Sequence, residues 1–94
     1  MVVRLTHFNV SAEQSDEVKK IYNQEVLPEL KKQSGNVNVM LLEPMDSSTE
    51  YISLTVWQNK ADADAYESSG KYKELVGKIK GLIGQPVLKS YTTS

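Results

Sequence analysis

The stretch LTVWQNKADADAYESSGKY, residues 54–72, decides how this chain is read. It starts with strand-type alternation, passes through Trp57, the only tryptophan, and continues into an alanine-rich run of helical character. Asn59 suits the N-cap of that helix, and Asp62 falls in its first turn, where an anion complements the helix dipole. Ser68-Ser69-Gly70 then interrupts the run ahead of Lys71 and Tyr72. A strand that hands over to a broken helix at a lone tryptophan raises one question. Trp57 either plugs a small core or walls a ligand pocket.

Working outward, EYISLTVWQ (50–58) alternates Ile52, Leu54 and Val56 with Tyr51, Ser53, Thr55 and Trp57, the pattern of a strand. The polar turn MDSST separates it from NVNVMLLEP (36–44), where Val37, Val39 and Leu41 oppose Asn38, Met40 and Leu42 until Pro44 ends the run. At the start, VVRLTHFNV (2–10) puts Val3, Leu5, His7 and Asn9 on one face and Val2, Arg4, Thr6, Phe8 and Val10 on the other. Ser11 and Gln14 have capping-box spacing, and Val18, Ile21, Tyr22, Val26 and Leu30 recur at helical intervals. Pro28 removes a helical hydrogen bond, so a kink or break is expected near Leu27, and Ser34-Gly35 closes the segment. Downstream, KYKELVGKIKGLIG carries Tyr72, Leu75, Val76, Ile79, Leu82 and Ile83 on one stripe. Gly84 is expected as its C′ cap, Pro86 as its stop, and PVLKSYTTS as a last strand.

The order β-α-β-β-α-β predicts an α+β, ferredoxin-like subunit: one domain over residues 1–94, with a four-stranded antiparallel sheet and its helices on one face. The strands carry apolar residues on both faces. An uncovered apolar sheet face predicts a homodimer that buries it.

Composition excludes several classes. The 94 residues hold 11 basic and 12 acidic side chains, a net charge of −1, with no basic block to neutralise a run of phosphates, so no nucleic-acid partner is expected. No run approaches the roughly 18 apolar residues of a membrane span, and the N-terminus does not read as a signal peptide, which predicts a cytoplasmic protein with no membrane partner. With no Cys and one His, disulfides, thiol catalysis and an ordinary zinc or non-haem iron site are not expected. The acidic DADAYE and Lys71, Lys73, Lys78 and Lys80 read as solvated helix faces. Two residues stay open. His7 is either a hydrogen-bonded structural group or a base for a ligand hydroxyl. Trp57 is either packing or cavity wall, with an indole N–H that needs a partner. Tyr22, Tyr51, Tyr66 and Tyr72 carry the same ambiguity.

The segment from Ser34 to Leu75 resembles the antibiotic biosynthesis monooxygenase family. The resemblance rests on Gly35, the strand Val37 to Glu43, Asp46, Thr55-Val56-Trp57, Asn59, the alanine-rich Ala61 to Ala65, and Tyr72. It implies a subunit that pairs sheet to sheet into a dimeric α+β barrel. It also implies a cofactor-independent monooxygenase that binds a small aromatic or quinol-type substrate between sheet and helices, with no metal. His7 and Trp57 are then the expected catalytic residues, with Ser53, Tyr66 and Tyr72 binding substrate. The family pattern is incomplete. Ser53 stands where some oxygenases carry a pocket Asn, and the Arg of some oxygenase pockets has no obvious equivalent, Arg4 being the only arginine. Haem-degrading members place a Trp and a His where this chain has Tyr66 and Val76, so haem degradation is not expected. The alternatives are a non-catalytic small-molecule-binding or structural homologue, and a small-metabolite isomerase or decarboxylase.

Overall fold

The computed structural model describes residues 1–94. Its strands are β1 (Val2–Asn9), β2 (Asn36–Leu42), β3 (Glu50–Trp57) and β4 (Val87–Thr92). They form one sheet in the order β2-β3-β1-β4, with every neighbouring pair antiparallel. This is the expected ferredoxin-like α+β arrangement. β1 and β3 pair without a slip from Val2 opposite Trp57 to Asn9 opposite Glu50. That register places Arg4, Thr6 and Phe8 beside Thr55, Ser53 and Tyr51 on one face, under the helices. Val3, Leu5 and His7 lie with Ile52, Leu54 and Val56 on the other. A bulge between Asn36 and Asn38 breaks the alternation of β2. Val37, expected to share a face with Val39, is therefore half exposed, while Val39 is buried.

The first helical segment departs from its expected start. The pairing of β1 with the chain before β3 runs on to Val10, whose N–H donates to the Thr49 carbonyl at 2.8 Å. Residues 11–14 form a turn that lifts the chain off the sheet, with Gln14 N–H donating to the Ser11 carbonyl. The capping box does not form, and α1 spans Ser15–Ile21. Pro28 does not break the segment either. A π-helical turn at Tyr22–Val26 leads into α2 (Leu27–Lys31), and Leu27 N–H reaches back to the Tyr22 carbonyl. The wider turn moves the carbonyls that the proline ring would otherwise crowd. It also corrects a phase error. Residues spaced by four drift roughly 40° per step in an ideal α-helix, yet Tyr22, Val26 and Leu30 all remain buried on the sheet side.

Gly35 adopts a left-handed φ of 81°, and a Cβ there would meet the Asp62 side chain. Only glycine lets this turn close against the start of α3 (Lys60–Ser68). Asn59 caps α3 as expected, its Oδ1 accepting from Asp62 N–H at 2.9 Å. Gly70, with φ 86°, then redirects the chain into α4 (Lys71–Gly77). The expected long last helix stops there. A short 3₁₀ turn at Lys80–Leu82 follows, and Gly84 is not a left-handed cap. Instead its N–H donates to the Asn9 carbonyl at 3.0 Å, which fastens this connection to the end of β1. Gly77 and Gly81 weaken the helix where it ends. No helix is long and apolar enough to cross a membrane.

Between sheet and helices the buried side chains form two clusters. One gathers Tyr22, Val26, Leu30, Val39, Trp57, Ala63, Tyr66 and Leu75. The other holds Phe8, Val10, Val18, Tyr51 and Ile79.

Candidate functional site

A cavity lies at the seam of those two clusters, where β1 and β3 face the π-helical turn and α4. Its apolar wall includes Phe8, Val26, Leu30, Leu75, Val76, Ile79 and Leu88. Its polar groups are the hydroxyls of Thr6, Tyr22, Ser53, Thr55, Tyr66 and Tyr72, together with Arg4. Only about 40 Å³ of the cavity admits the centre of a water molecule. That is room for roughly three waters and well short of the ~150 Å³ that accommodates benzene. A ring enters only if a wall moves.

Two wall residues separate the cavity from a second opening. Tyr72 and Val76 also line an adjoining groove of about 570 Å³ that opens to solvent beside Lys73, Lys80 and Gln85. Tyr72 is half-buried in the first turn of α4, just past the Gly70 bend. Its ring stands between cavity and groove.

Of the five residues expected at the site, Ser53, Tyr66 and Tyr72 line the cavity. Trp57 stands one layer behind. It is completely buried, its Nε1–H donates to Thr55 Oγ1 at 2.9 Å, and its ring stacks on Tyr66 with centroids 5.0 Å apart. Tyr66 meets Tyr72 edge-on at 6.2 Å, so an aromatic row runs from the core to the groove. Trp57 therefore packs the core while fixing two side chains of the wall. His7 does not reach the cavity. The register of β1 turns it to the helix-free face of the sheet, where Nδ1 lies 3.5 Å from Glu50 Oε1 and the buried Nε2 has no partner.

Arg4, Thr6 and Thr55 are cavity residues outside the expected set, and Tyr22, open in the sequence between packing and cavity wall, lines the cavity as well. Tyr22 reaches in because the π turn rotates it, and its hydroxyl lies 2.7 Å from Ser53 Oγ. The signal for Arg4 was present in the alternation, which grouped it with Thr6 and Phe8. Its burial depends on α3, whose Ala63 carbonyl, Asp64 and Glu67 accept from its terminal nitrogens at 2.7–3.0 Å. Lys60 and then Arg4 hold the Asp64 carboxyl below its usual range.

Burial pushes the phenols of Tyr22, Tyr66 and Tyr72 above their ordinary value, so all three stay protonated donors at neutral pH. A tyrosine whose folded-state pKa exceeds its unfolded value holds its proton more firmly when folded. Its contribution to stability is complete below about pH 10 and is lost as pH rises beyond it. Urea unfolding at increasing alkaline pH is expected to show falling stability above about pH 10, and Tyr66→Phe is expected to flatten that fall. An unchanged slope in the variant would contradict the buried phenol.

No three His, Asp or Glu side chains stand close enough to share a metal ion. The geometry defines an α+β ferredoxin-like subunit with an aromatic, hydroxyl-lined cavity on the helix side of its sheet. The sequence profile of antibiotic biosynthesis monooxygenase matches residues 1–78, and the chain belongs to this family. No curated protein matches the sequence. Among solved structures, the chain is similar to the heme-degrader MhuD of Mycobacterium tuberculosis with two hemes bound (17% identity, 99% of this chain and 95% of that one, TM-score 0.83). It is also similar to SnoaB, a cofactor-independent oxygenase from Streptomyces nogalater (16% identity, 98% and 91%, TM-score 0.80). A Deinococcus radiodurans structure bearing the family's name aligns over 100% of this chain and 93% of its own, with 13% identity and TM-score 0.84. At such identities the likeness concerns the fold.

Proposed function

We propose that this protein is a cofactor-independent monooxygenase for a small aromatic, quinol-type substrate bound between sheet and helices. The observation that carries this reading is the largely apolar cavity between sheet and helices that Ser53, Tyr66 and Tyr72 help to line. The reaction follows from the substrate's own electrons. A ring carrying a hydroxyl group, with a C–H ortho or para to it, loses the O–H proton, and that electron-rich ortho or para carbon gives electrons to O₂. That carbon's C–H becomes C=O, the second oxygen atom leaves as water, and the product is a quinone. The side chains orient the ring, donate hydrogen bonds to its oxygens and keep bulk water away.

Haem fits the residues poorly. Val76 lines the cavity where haem-degrading relatives carry the His, His7 faces the opposite side of the sheet, and the cavity is far too small without rearrangement. A non-catalytic binding homologue remains the second reading, favoured by the cavity's small volume. The isomerase or decarboxylase reading required a His at the pocket, which His7 does not supply.

The active form is a homodimer packed through the helix-free sheet face. That face carries Val3, Leu5, Ile52, Leu54 and Val56, with Met40, Leu42, Val87 and Tyr91 exposed around them. A second copy covers this surface.

Oxygen uptake tests the activity. With a panel of hydroquinones and naphthols that includes carbonyl-substituted members, at least one compound is expected to consume O₂ faster with the native protein than with a Ser53→Ala, Tyr66→Phe double variant. Equal rates for every compound would sink the oxygenase reading.

A further inference from the structure

Arg4 is the only charged residue that lines the cavity. No carboxylate, imidazole or amine faces the same space, so nothing there takes a proton near neutral pH. Arg4 is nine-tenths buried, and its guanidinium is held from outside by α3. The terminal nitrogens are used on the Ala63 carbonyl, Asp64 and Glu67, whereas the buried Nε–H has no partner. The surrounding charges balance: Arg4 and Lys60 against Asp64 and Glu67. They are also separated in space. Both carboxylates are about half exposed, at 46%, and screened by water, while Arg4 is the member of the group that lines the cavity. A buried guanidinium N–H without an acceptor is costly, and it becomes a strong donor for an incoming oxygen when the wall moves to admit a ring.

We infer that Arg4 is the anion-binding residue of this cavity, and that its ligand is a hydroxy-aromatic compound bound as its oxyanion on Arg4 Nε–H. The inference rests on the aromatic-pocket reading above and deepens it. Because the cavity contains no base, the proton must leave to water. The substrate's hydroxyl must therefore ionise close to neutral pH, as it does when conjugated with a carbonyl or nitro group on the same ring. Simple phenols and alkyl-substituted hydroquinones are then poor ligands. Tyr66 and Tyr72, being protonated donors, complete the set of hydrogen bonds that such an oxygen can accept. Arg4 thereby sets specificity through the ionised oxygen, and the apolar wall receives the ring.

The probe is p-nitrophenol, whose anion is coloured and whose methyl ether, p-nitroanisole, has the same ring without an ionisable oxygen. In the native protein the apparent pKa of bound p-nitrophenol is expected to fall by about one unit relative to free p-nitrophenol, a tenfold preference for the anion. Arg4→Met is expected to abolish that shift while p-nitroanisole binds unchanged, and Arg4→Lys to retain part of it. Glu67→Gln, at a half-exposed position that leaves the fold intact, is expected to enlarge the shift by relieving Arg4 of one counter-charge. If both probes bind the native protein and the pKa of p-nitrophenol is unshifted or raised, the role of Arg4 is wrong while the aromatic pocket stands. If neither probe binds, the aromatic-pocket reading falls and this inference falls with it. The native-protein measurement decides the matter even if Arg4→Met does not fold.

Discussion

Trp57→Ala is expected to lower the stability of the fold by about 3–5 kcal/mol, read as a fall in the urea midpoint at unchanged slope. The residue is completely buried, belongs to the larger of the two core clusters, and stacks on Tyr66. Truncation removes the largest side chain of a thin core, opens a cavity beneath β3, and strips Thr55 Oγ1 of its donor. For a domain of this size, with total stability on the order of 5–10 kcal/mol, that is a large share. Trp57→Phe keeps the ring stacking and loses only the indole hydrogen bond and some volume, so a cost of roughly 1–2 kcal/mol is expected. A loss below about 1 kcal/mol for the alanine variant would mean that the Trp57 site collapses freely. In that case the rigid wall it provides for Tyr66 would be in doubt.

The second large effect concerns association. Leu54 sits on the helix-free face of β3, opposite Leu5 on β1 and Met40 on β2, near the middle of the apolar patch. Leu54→Asp is expected to weaken the proposed homodimer by on the order of 10³-fold, since closing the interface would bury a carboxylate without a partner. The monomer should survive, because Leu54 is only half-buried and points away from both core clusters. Its far-UV circular dichroism should match that of the native chain. Sedimentation equilibrium provides the measurement: dimer for the native chain and monomer for the variant at micromolar concentration. A native monomer would refute the sheet-to-sheet assembly. A variant that remains dimeric would place the contact on another surface. His7 adds a polar element to this face, since its buried Nε2 lacks a partner within the chain.

These two residues differ by three positions in one strand yet govern different properties. The reason is the period of the pleat, which sends Trp57 under the helices and Leu54 to the open side. That alternation was visible in the chain. The two face sets of β1, the two of β3, the cap at Asn59 and the break at Gly70 all follow from short-range rules of side-chain direction and backbone freedom. Which face each helix covers was not visible, because both sets of β1 contain apolar residues. For that reason His7 and Trp57 were expected together at the site, although one lies on the open face and the other behind the cavity wall.

The sequence by itself determined the order of elements, the faces of β1 and β3, the turns at Gly35 and Gly70 and the family, because each depends on neighbours within a few residues or on a pattern spread along the chain. The tertiary structure alone decided that Arg4 is buried with a free Nε–H, that Tyr22 turns inward on a π-helical step, and that the bulge exposes Val37. The first and last of these arise from a meeting of segments far apart in sequence, and the π-helical step from packing a proline-containing helix on the sheet. The Arg4 ion pairs, for example, join residues 60 and 63 positions apart. A charge in a strand is buried only where another element brings its counter-charges, and LTVWQNKADADAYESSGKY carries them at Asp64 and Glu67.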